Sequence, residues 1–567
     1  MPYLYFTRQS GHRIESFFWE VPEDDVAAGT SITQGESSST AVSDDDRQTS
    51  PLATFKSNYA NLPDYLKRCL DYFCIVTRRA SIDEKGKLIR LLLAECLVPE
   101  KAGEIMEDLA EEIIGELIHL GMLTEYFHPD FFKVPYEYEE LCLFEVDEQY
   151  FVSEAPNFPV RAVIKDDGNN TLPSFTNLQV RSLFVTTAER RGLHSSSASP
   201  TRDLSQAYMQ TICSLQSLLV LNIDGRIEYL PDEVGDLVQL RYLALSNSKL
   251  NELPKTLGNL QKLQTLDIRL MSRNLRELPL EVLTIQNLRH LVMSRCINNG
   301  EVRVPKEIGK LTNLHSCHGV YAGGGIASEL SRLTQLRELS VKRVSEDHAS
   351  ELYAAIMKME NLLSVKLEAE TNCYSIGKRY TFLPEFDLFS PPSLLQVVNL
   401  RGTLVEIPIW LSSMSNLTRL DLSYSYLTAT PTTDIQFLPN LKHLGLWQAY
   451  KAKLLGKEFC QAGGFPALQT LIIDSRFLEH WIEIVNGAFP SLKSLTLRCT
   501  RLRFLPEGLQ NISTLEELWL STVHGDLARR LKSTENYKIK HILKLRAYFE
   551  GGKFIYEGSP EEVLQHA

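Results

Sequence analysis

Five side chains in the C-terminal half have the types that carry binding energy at protein interfaces: Arg401, Arg419, Trp447, Arg498 and Trp519. They stand in segments of alternating apolar residues, such as Arg-Leu-Asp-Leu-Ser from Arg419, which favour half-buried strands. Because side chains alternate along a strand, all five point away from the leucines. Tryptophan and arginine dominate many protein interfaces, so the pattern predicts a protein-binding surface. The alternative is that neighbours cover the tryptophans and that pairs such as Arg419 with Asp421 only solvate the strands.

Enzyme chemistry has little support in the sequence. The thirteen histidines are dispersed, and no Gly-x-Ser-x-Gly or His-Glu-x-x-His segment occurs. Four histidines are interpreted as surface or core residues rather than as ligands or bases: His128, His315, His318 and His443. The ten cysteines, from Cys69 to Cys499, form no Cys-x-x-Cys pair, which favours reduced thiols over zinc or disulfides. We therefore expect no catalytic residues and no metal site.

The length and net charge of the chain exclude further classes of protein. At 567 residues the chain is too long for one compact core, but it suits a solenoid joined to a small domain. The net charge of −12 argues against a nucleic-acid-binding protein, because phosphate contacts need a basic face. No apolar stretch reaches the roughly 18 residues of a membrane span, and the N-terminal residues lack the features of a signal peptide. These features predict an intracellular protein.

A repeated element must position the five side chains. The same leucine position recurs at steps of 22, 23 and 25 residues: Leu221, Leu243, Leu266 and Leu291. This period is typical of leucine-rich repeats. Each repeat supplies one strand, whose inward pair, such as Leu243 with Leu245, is shielded from water only if the repeats stack. Proline in the Leu-Pro steps lacks an N–H where the chain turns back along the convex side. The sequence therefore predicts an α/β solenoid, a leucine-rich-repeat horseshoe.

A small helical domain is predicted before the repeats. Apolar residues at helical spacing predict helices in the segments that begin near Leu62, Lys85 and Ala102. The third helix is expected to bury one apolar row: Ile105, Leu109, Ile113, Leu117 and Leu120. The stretch 122–134 predicts a strand pair, which completes a winged-helix arrangement. Its many glutamates and the lack of a basic recognition helix argue against DNA binding.

The chain from Leu62 onward resembles plant nucleotide-binding leucine-rich-repeat (NB-LRR) immune receptors, most closely their coiled-coil class. The resemblance rests on LPDYLKRCLDYFCIVTRRASIDEKGKLIRLLLAECLV, on Glu-Asp-Leu-Ala-Glu-Glu at 107–112, and on VRSLFVT at 180–186 ahead of the repeats. It implies a winged helix followed by repeats. It also implies that the repeats recognise protein and that they hold the switch domain inactive through contacts with the winged helix.

Two motifs of that family are missing from the sequence. In the family, a nucleotide-binding domain precedes the winged helix, and its Gly-x-x-x-x-Gly-Lys-Ser/Thr loop holds the phosphates of ADP or ATP. No such loop occurs here: Gly86-Lys87 matches only two of its residues, inside a predicted helix start, and Val134-Pro135 stands near the expected Met-His-Asp signature. The residues therefore predict no bound cofactor, although the resemblance implies ADP or ATP for a full-length member. A truncated gene product and a fragment of a longer chain are both open.

The sequence predicts five segments: a disordered tail at 1–56, a winged-helix domain at 57–135, a junction at 136–179, a solenoid of about fourteen repeats at 180–531, and a C-terminal cap at 532–567. The tail is rich in Ser, Thr and Asp and cannot bury enough apolar surface to fold. The repeats are predicted to begin at Val180, Leu218, Leu240, Leu263, Leu288, Leu314, Leu336, Leu362, Leu395, Leu417, Leu441, Leu468, Leu492 and Leu515.

With the resemblance, these features predict a non-enzymatic recognition module of plant defence. Its partner would be a pathogen effector, a guarded host protein or a full-length NB-LRR receptor, bound on the concave face of the sheet, and a hypersensitive response is the expected output. The expected location is the cytoplasm, with the nucleus and the membrane periphery also open. One alternative is a leucine-rich-repeat scaffold without an immune role. Another, a nucleotide-hydrolysing switch, would need a phosphate loop.

Overall fold

The computed structural model describes residues 57–77, 83–126, 128–135, 150–152, 160–165, 179–186, 203–246, 248–270, 275–295, 302–372, 379–387, 389–428, 432, 435–549 and 556–565. The predicted tail at 1–56 and most of the junction at 136–179 lie outside these residues. The chain divides into two compact units. The first unit comprises residues up to 250 with 262–272, and the second comprises 251–261 with 273–567.

The first unit begins with the predicted helices and strand pair. The helices are α1 (Asp64–Thr77), α2 (Lys85–Ala94) and α3 (Met106–His119). The strands are β1 (Asp83–Glu84), β2 (Thr124–Tyr126) and β3 (His128–Lys133). They form an antiparallel sheet in the order β1–β3–β2, so β1 adds a strand that the sequence analysis did not predict. The helices bury Leu66, Leu91 and Leu117 completely.

One residue of the third helix departs from the predicted row. Leu109, Ile113 and Leu117 are buried, whereas Ile105 is 41% exposed. Ile105 is the N-cap of α3, with an extended backbone at φ −83° and ψ 126°. A residue with that backbone does not continue the helical face, so its side chain leaves the row that the spacing predicts.

The second element of the first unit is a sheet of leucine-rich repeats. Its strands are β4 (Tyr150–Val152), β5 (Val160–Lys165), β6 (Val180–Thr186), β7 (Val220–Asp224), β8 (Tyr242–Ser246) and β9 (Thr265–Leu270). β5 to β9 are parallel neighbours in chain order, and β4 is antiparallel to β5. Leu221, Leu243 and Leu266 are register partners in successive strands, as predicted. Helix α4 (Gln206–Cys213) precedes β7.

The helices and this sheet share one core. Phe184, Val220, Tyr242 and Ala244 belong to the same buried cluster as the helical residues. The ring of Tyr72 lies 6.5 Å from that of Phe184. Burial raises the pKa of the Tyr72 hydroxyl well above its usual range.

Charged groups cross the same interface. Arg161 of β5 donates to Glu95, at 2.8 Å from Nη2 to Oε2. Arg269 of β9 donates to Glu84 at 2.9 Å and to Asp267 at 2.6 Å. Arg90 of α2 lies 4.0 Å from Asp267. Ion pairs therefore join the helical domain to the sheet of the first unit.

The second unit contains a longer sheet. Its strands are β10 (His290–Arg295), β11 (Ser316–Tyr321), β12 (Glu338–Val344), β13 (Ser364–Ala369), β16 (Val397–Arg401), β17 (Arg419–Ser423), β18 (His443–Trp447), β20 (Thr470–Asp474), β22 (Ser494–Arg498), β23 (Glu517–Val523), β24 (Lys544–Phe549) and β25 (Tyr556–Gly558). All neighbours are parallel except β25, which is antiparallel to β24. Two small ladders accompany it: β14 (Thr371–Asn372) with β15 (Arg379–Tyr380), and β19 (Leu454–Leu455) with β21 (His480–Trp481).

The segments that lead from one strand of the sheet back to the next, here called return segments, explain the Leu-Pro and Leu-Gly steps of the repeat. Leu-Pro steps precede short 3-10 turns such as Lys255–Asn259, where Pro254 is the N-cap. A Cβ on Gly258 would stand 2.8 Å from the carbonyl oxygen of Glu281 in the next turn, so the Leu-Gly step allows successive turns to approach. Longer return helices occur at α5 (Ile326–Leu330) and α6 (Glu346–Met357).

Side-chain amides also tie the return segments together. The Nδ2 amide groups of five asparagines donate to carbonyl oxygens of the preceding repeat: Asn287, Asn313, Asn361, Asn416 and Asn440. Their distances run from 2.7 to 3.0 Å. Each bond satisfies a carbonyl that the return segment would otherwise leave without a strand or helix partner.

The structure begins a strand close to each of the fourteen predicted repeat starts, from β6 to β23, which confirms the leucine-rich-repeat fold class. The parallel sheet continues past the predicted solenoid bounds of 180 and 531, because β5 lies before the first and β24 after the second. Val160–Lys165 and Lys544–Phe549 keep strand alternation but not the full leucine template. Helices α7 (Gly525–Lys532) and α8 (Pro560–Leu564) flank β24 and β25. In the parts of the chain that are described, no helix has the length and apolarity to cross a bilayer.

Candidate protein-binding face of the second unit

All five predicted binding residues lie on one face of the second-unit sheet, opposite the leucines. Arg401 ends β16, Arg419 begins β17, Trp447 ends β18, Arg498 ends β22, and Trp519 lies within β23. The parallel register aligns Arg401, Ser423, Trp447, Asp474 and Arg498 in one row across the strands. We call this surface, defined by the five predicted residues, the polar face.

Trp447, Arg498 and Trp519 form a cluster. The guanidinium carbon of Arg498 lies 5.7 Å from the ring centre of Trp447 and 5.9 Å from that of Trp519. These are cation–π distances. Asp474 lies 3.8 Å from Arg498. Both indole rings are half-buried, so part of each remains accessible on the polar face.

Asp421 fixes the orientation of Trp447 and Arg419. Its carboxylate, 2% exposed, accepts from Arg419 Nε at 2.8 Å and from Trp447 Nε1 at 3.3 Å. His443 Nε2 lies 3.5 Å from the same carboxylate. Gly445 lies between these groups, and a Cβ there would stand 2.1 Å from Asp421 Oδ1 and 2.7 Å from Trp447 Nε1. The hydrogen bond between Asp421 and Trp447 therefore depends on a glycine at 445.

Arg401 belongs to a neighbouring cluster. Its guanidinium carbon lies 5.7 Å from the ring centre of Tyr380 and 5.8 Å from that of Tyr424. Glu368 is 3.9 Å away. Burial acts to lower the pKa of Arg401, but Tyr380 and Glu368 reverse this effect and raise it. Lys366, in the same part of the sheet, has its pKa lowered to about 8 by burial and by Arg401.

Desolvation dominates the ion pair of Asp474 and Arg498. Burial raises the pKa of Asp474 although Arg498 acts to lower it. Burial also lowers the pKa of Arg498 although Asp474 acts to raise it. Both shifts favour the neutral forms, as expected where the cost of removing two charges from water exceeds their attraction.

The arginines of the polar face are thus already matched by carboxylates. Arg401 faces Glu368, Arg419 faces Asp421, and Arg498 faces Asp474. The arrangement offers half-buried aromatic surface held in fixed orientation rather than unmatched positive charge. It suits contact with a protein surface through Trp447 and Trp519, and the binding role of all five residues stays a prediction.

Sequence reasoning missed the aromatic residues at the edge of this face. We call Tyr380, Tyr424, Tyr426 and Phe477 the aromatic rim. Neighbouring ring centres are 4.9 Å apart for Tyr380 and Tyr424, 6.2 Å for Tyr424 and Tyr426, and 6.5 Å for Tyr426 and Phe477. Tyr424 and Tyr426 have φ of 57° and 50°, which is uncommon for large side chains. The available signal was the recurrence of aromatic residues just after the strand template.

Gly86 and Val134, the residues compared above with two nucleotide motifs of the NB-LRR family, lie in the helical domain, and the absence of a cofactor stays a prediction. Gly86 and Lys87 lie within α2, and a Cβ on Gly86 would stand 3.0 Å from Arg90 Nη1. The arginine therefore occupies the space beside the only Gly-Lys step in this helix. Val134, near the expected histidine signature, is buried as part of the helical core. These residues supply neither a phosphate cradle nor an imidazole.

Comparison with known proteins gives one family and a set of plant relatives. The family described as "Leucine-rich repeat region" matches residues 197–547. The Arabidopsis thaliana proteins "Probable disease resistance RPP8-like protein 2" and "Disease resistance protein RPP8" are each 25% identical to this chain, over 88% of it and 55% of their own length. "Putative disease resistance protein At1g59780" is 26% identical over 92% of this chain and 55% of its own length. The chain spans about half the length of these relatives, and the predicted resemblance is confirmed.

Solved structures show a partial likeness. A leucine-rich-repeat protein of Leptospira interrogans is 19% identical, covers 68% of this chain and 94% of its own, and has a TM-score of 0.38. An internalin of Listeria monocytogenes is 15% identical, covers 63% of this chain and 86% of its own, and has a TM-score of 0.36. Likeness of this degree carries no argument about ligands.

Proposed function

The chain belongs to the leucine-rich repeat family, and on that premise we propose that it is a non-enzymatic recognition module of plant innate immunity. It binds protein through the polar face of the second unit. The immune assignment is supported by the disease resistance relatives, whose similarity extends over 88% of the chain and so includes more than the repeats. The observation that carries the binding role is the fixed cluster of Trp447, Arg498 and Trp519.

The partner of this face is a pathogen effector, a host protein that effectors modify, or a full-length NB-LRR receptor. Tryptophan and arginine on a pre-oriented surface lose little side-chain entropy on binding, which suits protein recognition. The described cysteines are free thiols, which fits the reducing cytoplasm that the proposal assigns. No nucleotide cofactor is part of the proposal, because Gly86 and Val134 do not form the family's site.

The helical domain has a second role in this proposal. In the resembled family, repeats hold the switch inactive through the winged helix. Here Glu84, Glu95 and Arg90 meet Arg269, Arg161 and Asp267 within the first unit. These pairs fix the helices on the repeats, so the helical domain would present its remaining surface to a partner receptor.

A genetic test in the source plant separates the immune role from a general scaffold role. A line lacking the gene is complemented with wild type, with Trp447→Ala/Trp519→Ala, or with the control Tyr229→Ala, which removes an exposed aromatic of the first unit. Each line is challenged with isolates that cause hypersensitive cell death in the parent. We expect the null line to lose the response to at least one isolate, and only wild type and the control to restore it. An unchanged response to every isolate in the null line would refute the immune role and leave the scaffold alternative.

A further inference from the structure

A cluster of exposed cations lies beside the polar face, on the segments that follow β18, β20 and β22. We call it the basic rim, and it consists of Lys451, Lys453, Arg476, Arg501 and Arg503. All five residues are exposed, with 69% of the Lys453 side chain and 60% of the Arg501 side chain open to solvent. This positive surface stands on a chain whose net charge is −12.

The basic rim has little internal neutralisation. Glu479 is shared by Lys453 at 3.4 Å and Arg501 at 3.9 Å. Two other nearby carboxylates pair outside the rim, Glu507 with Lys538 and Asp526 with Arg529. Asp474 pairs with Arg498 and also attracts Arg476 of the rim. The rim thus differs from the polar face, where each predicted arginine has its own carboxylate.

Arg476 is held in position although it is exposed. Its guanidinium carbon lies 5.7 Å from the ring centre of Tyr426 and 5.0 Å from that of Phe477. Its Nη2 donates to the Tyr426 hydroxyl at 3.2 Å. The ammonium of Lys451 lies 5.8 Å from the same tyrosine ring. Aromatic contacts therefore limit the motion of two cations without neutralising them, which lowers the entropy lost when they bind an anion.

A cleft lies beside two further members of the rim, Arg501 and Arg503. It has a volume of about 310 Å³ and is lined by Glu479, Arg501, Arg503 and His524. The backbone N–H of Glu479 donates to the carbonyl of Lys453 at 2.8 Å, and that of Arg503 donates to the carbonyl of Glu479 at 3.2 Å. Lys453, Glu479 and Arg503 therefore lie side by side on three successive repeats.

The distance between successive repeats determines how far apart the charges of a bound ligand should be. Adjacent strands are about 4.8 Å apart, so Lys453 and Arg503 start from backbone positions about 10 Å apart. A peptide in the polyproline II conformation rises about 3.1 Å per residue with three residues per turn, so carboxylates three residues apart lie on one side of it and about 9 Å apart. A segment with an acidic residue at every third position could thus place its carboxylates along the rim while it crosses the repeats.

We propose that the basic rim, together with Tyr426 and Phe477, docks an extended acidic peptide segment of a partner protein. The five cations outnumber the carboxylates that they contact and so supply charge complementarity, and the rings supply apolar contact between the carboxylates of the peptide. An inorganic polyphosphate could meet the same cations, but it would not use the rings. The inference rests on the proposed role in protein recognition and assigns a partner chemistry to the edge of that surface.

The test uses the purified full chain and a fluorescein-labelled peptide of four Glu-Ser-Tyr repeats in fluorescence polarisation. The matched peptides replace glutamate by glutamine, or gather the four glutamates at one end. We expect the repeat peptide to bind at least roughly tenfold more tightly than the glutamine peptide, and to lose roughly tenfold in affinity between 50 and 300 mM NaCl, because exposed charges are screened by salt. The gathered peptide should bind less well than the repeat peptide.

Two variants locate the site. Arg476→Glu/Arg501→Glu should weaken binding by at least roughly tenfold. The control Arg332→Glu/Lys358→Glu makes the same charge change on the return segments and should leave binding within about twofold. Tyr426→Ala keeps every cation but removes the ring that orients Arg476 and Lys451 and contacts the peptide. It should therefore weaken binding of the repeat peptide more than binding of inositol hexakisphosphate, which makes no apolar contact with the ring. Far-UV circular dichroism checks that each variant is folded.

Three results would overturn the inference: equal binding of the glutamate and glutamine peptides, an equal loss in the control variant, or binding of inositol hexakisphosphate with none of the peptide. The assay is independent of the proposed immune role. If only that role fails, the plant lines respond normally while the peptide still binds. If only the proposal for the basic rim fails, the null line loses its response while the glutamate peptide does not bind the rim. Trp447→Ala/Trp519→Ala then still abolishes the plant response.

Discussion

Replacing Asp267 by asparagine should loosen the helical domain from the sheet of the first unit. Asp267 is 2% exposed and Arg90 is 3% exposed, so their charges are out of water. Asp267 also accepts three hydrogen bonds from Arg269, at 2.6, 2.9 and 3.0 Å. Burial acts to lower the pKa of Arg269, but the Asp267 and Glu84 carboxylates raise it well above its usual range. Asparagine keeps the shape and removes the charge that both arginines need.

Removing one partner of a buried ion pair costs about 3–5 kcal/mol, because the other charge stays buried without compensation. Arg269 keeps Glu84 at 2.9 Å, which favours the lower end of that range. A loss of about 3 kcal/mol corresponds to a rise of roughly 150-fold in the local opening constant. The change should appear in hydrogen exchange of α2 and β9. The four tryptophans that the structure describes, Trp410, Trp447, Trp481 and Trp519, all belong to the second unit, so hydrogen exchange is the more direct measurement.

The matched control is Asp526→Asn, which removes an exposed carboxylate beside Arg529 and should change stability by less than about 1 kcal/mol. If Asp267→Asn fails to fold, Arg90→Met/Asp267→Leu provides the second measurement. It removes the charges of Arg90 and Asp267 but leaves Arg269 with Glu84 alone, so it should recover only the part of the loss that comes from the uncompensated Arg90. Equal exchange in α2 and β9 for wild type, Asp267→Asn and Asp526→Asn would refute the argument.

Three further predictions concern the second unit and the thiols. Gly445→Ala should push Trp447 away from Asp421, where the Cβ would stand 2.1 Å from Oδ1, and should alter tryptophan emission while Gly525→Ala, with no heavy atom near its Cβ, does not. Lys366→Met should stabilise the second unit by roughly 2 kcal/mol at pH 7, because the pKa of Lys366 is lowered to about 8 in the folded protein. The free energy of unfolding of wild type should then rise relative to that of Lys366→Met as the pH increases from about 8 to 10.5, because only the unfolded state keeps the proton in that range. Urea unfolding followed by fluorescence measures this slope, and the opposite slope would contradict the prediction. Native-state alkylation with iodoacetamide should modify Cys96 before the other described thiols, since it alone among them is exposed and burial raises the pKa of Cys69, Cys213 and Cys317 to about 12; peptide mass mapping that finds Cys317 modified first would contradict this.

Sequence reasoning found the strands because their signal is local. The inward pair at Leu243 and Leu245 repeats at a fixed period, and a strand that buries one face must show that alternation. It missed β5 and β24, the outer parallel strands, because these segments lack the full template. It also missed the asparagine amides between return segments, since each joins carbonyls more than twenty residues away.

For the candidate site, too, the sequence predicted the positions of the residues but not their partners. Arg401, Arg419, Trp447, Arg498 and Trp519 were placed on one face from alternation alone, and the structure places them there. Which cations have a carboxylate partner could not be read from the sequence. Arg498 ends β22 and Arg476 follows β20 by two residues, yet only the structure shows that Arg498 faces Asp474 while Arg476 rests on Tyr426 and Phe477.

The sequence by itself determined the repeat, its inward leucines, the helical domain ahead of it and the resemblance to disease resistance proteins. These follow from short-range periodicity and from motifs whose residues are close together in the sequence. Only the tertiary structure decided which charges are neutralised, that Arg90 and Asp267 join helices to sheet, and that aromatic rings orient Lys451 and Arg476. Such pairings link residues of different repeats or elements, so they depend on the register of stacked strands rather than on any single segment.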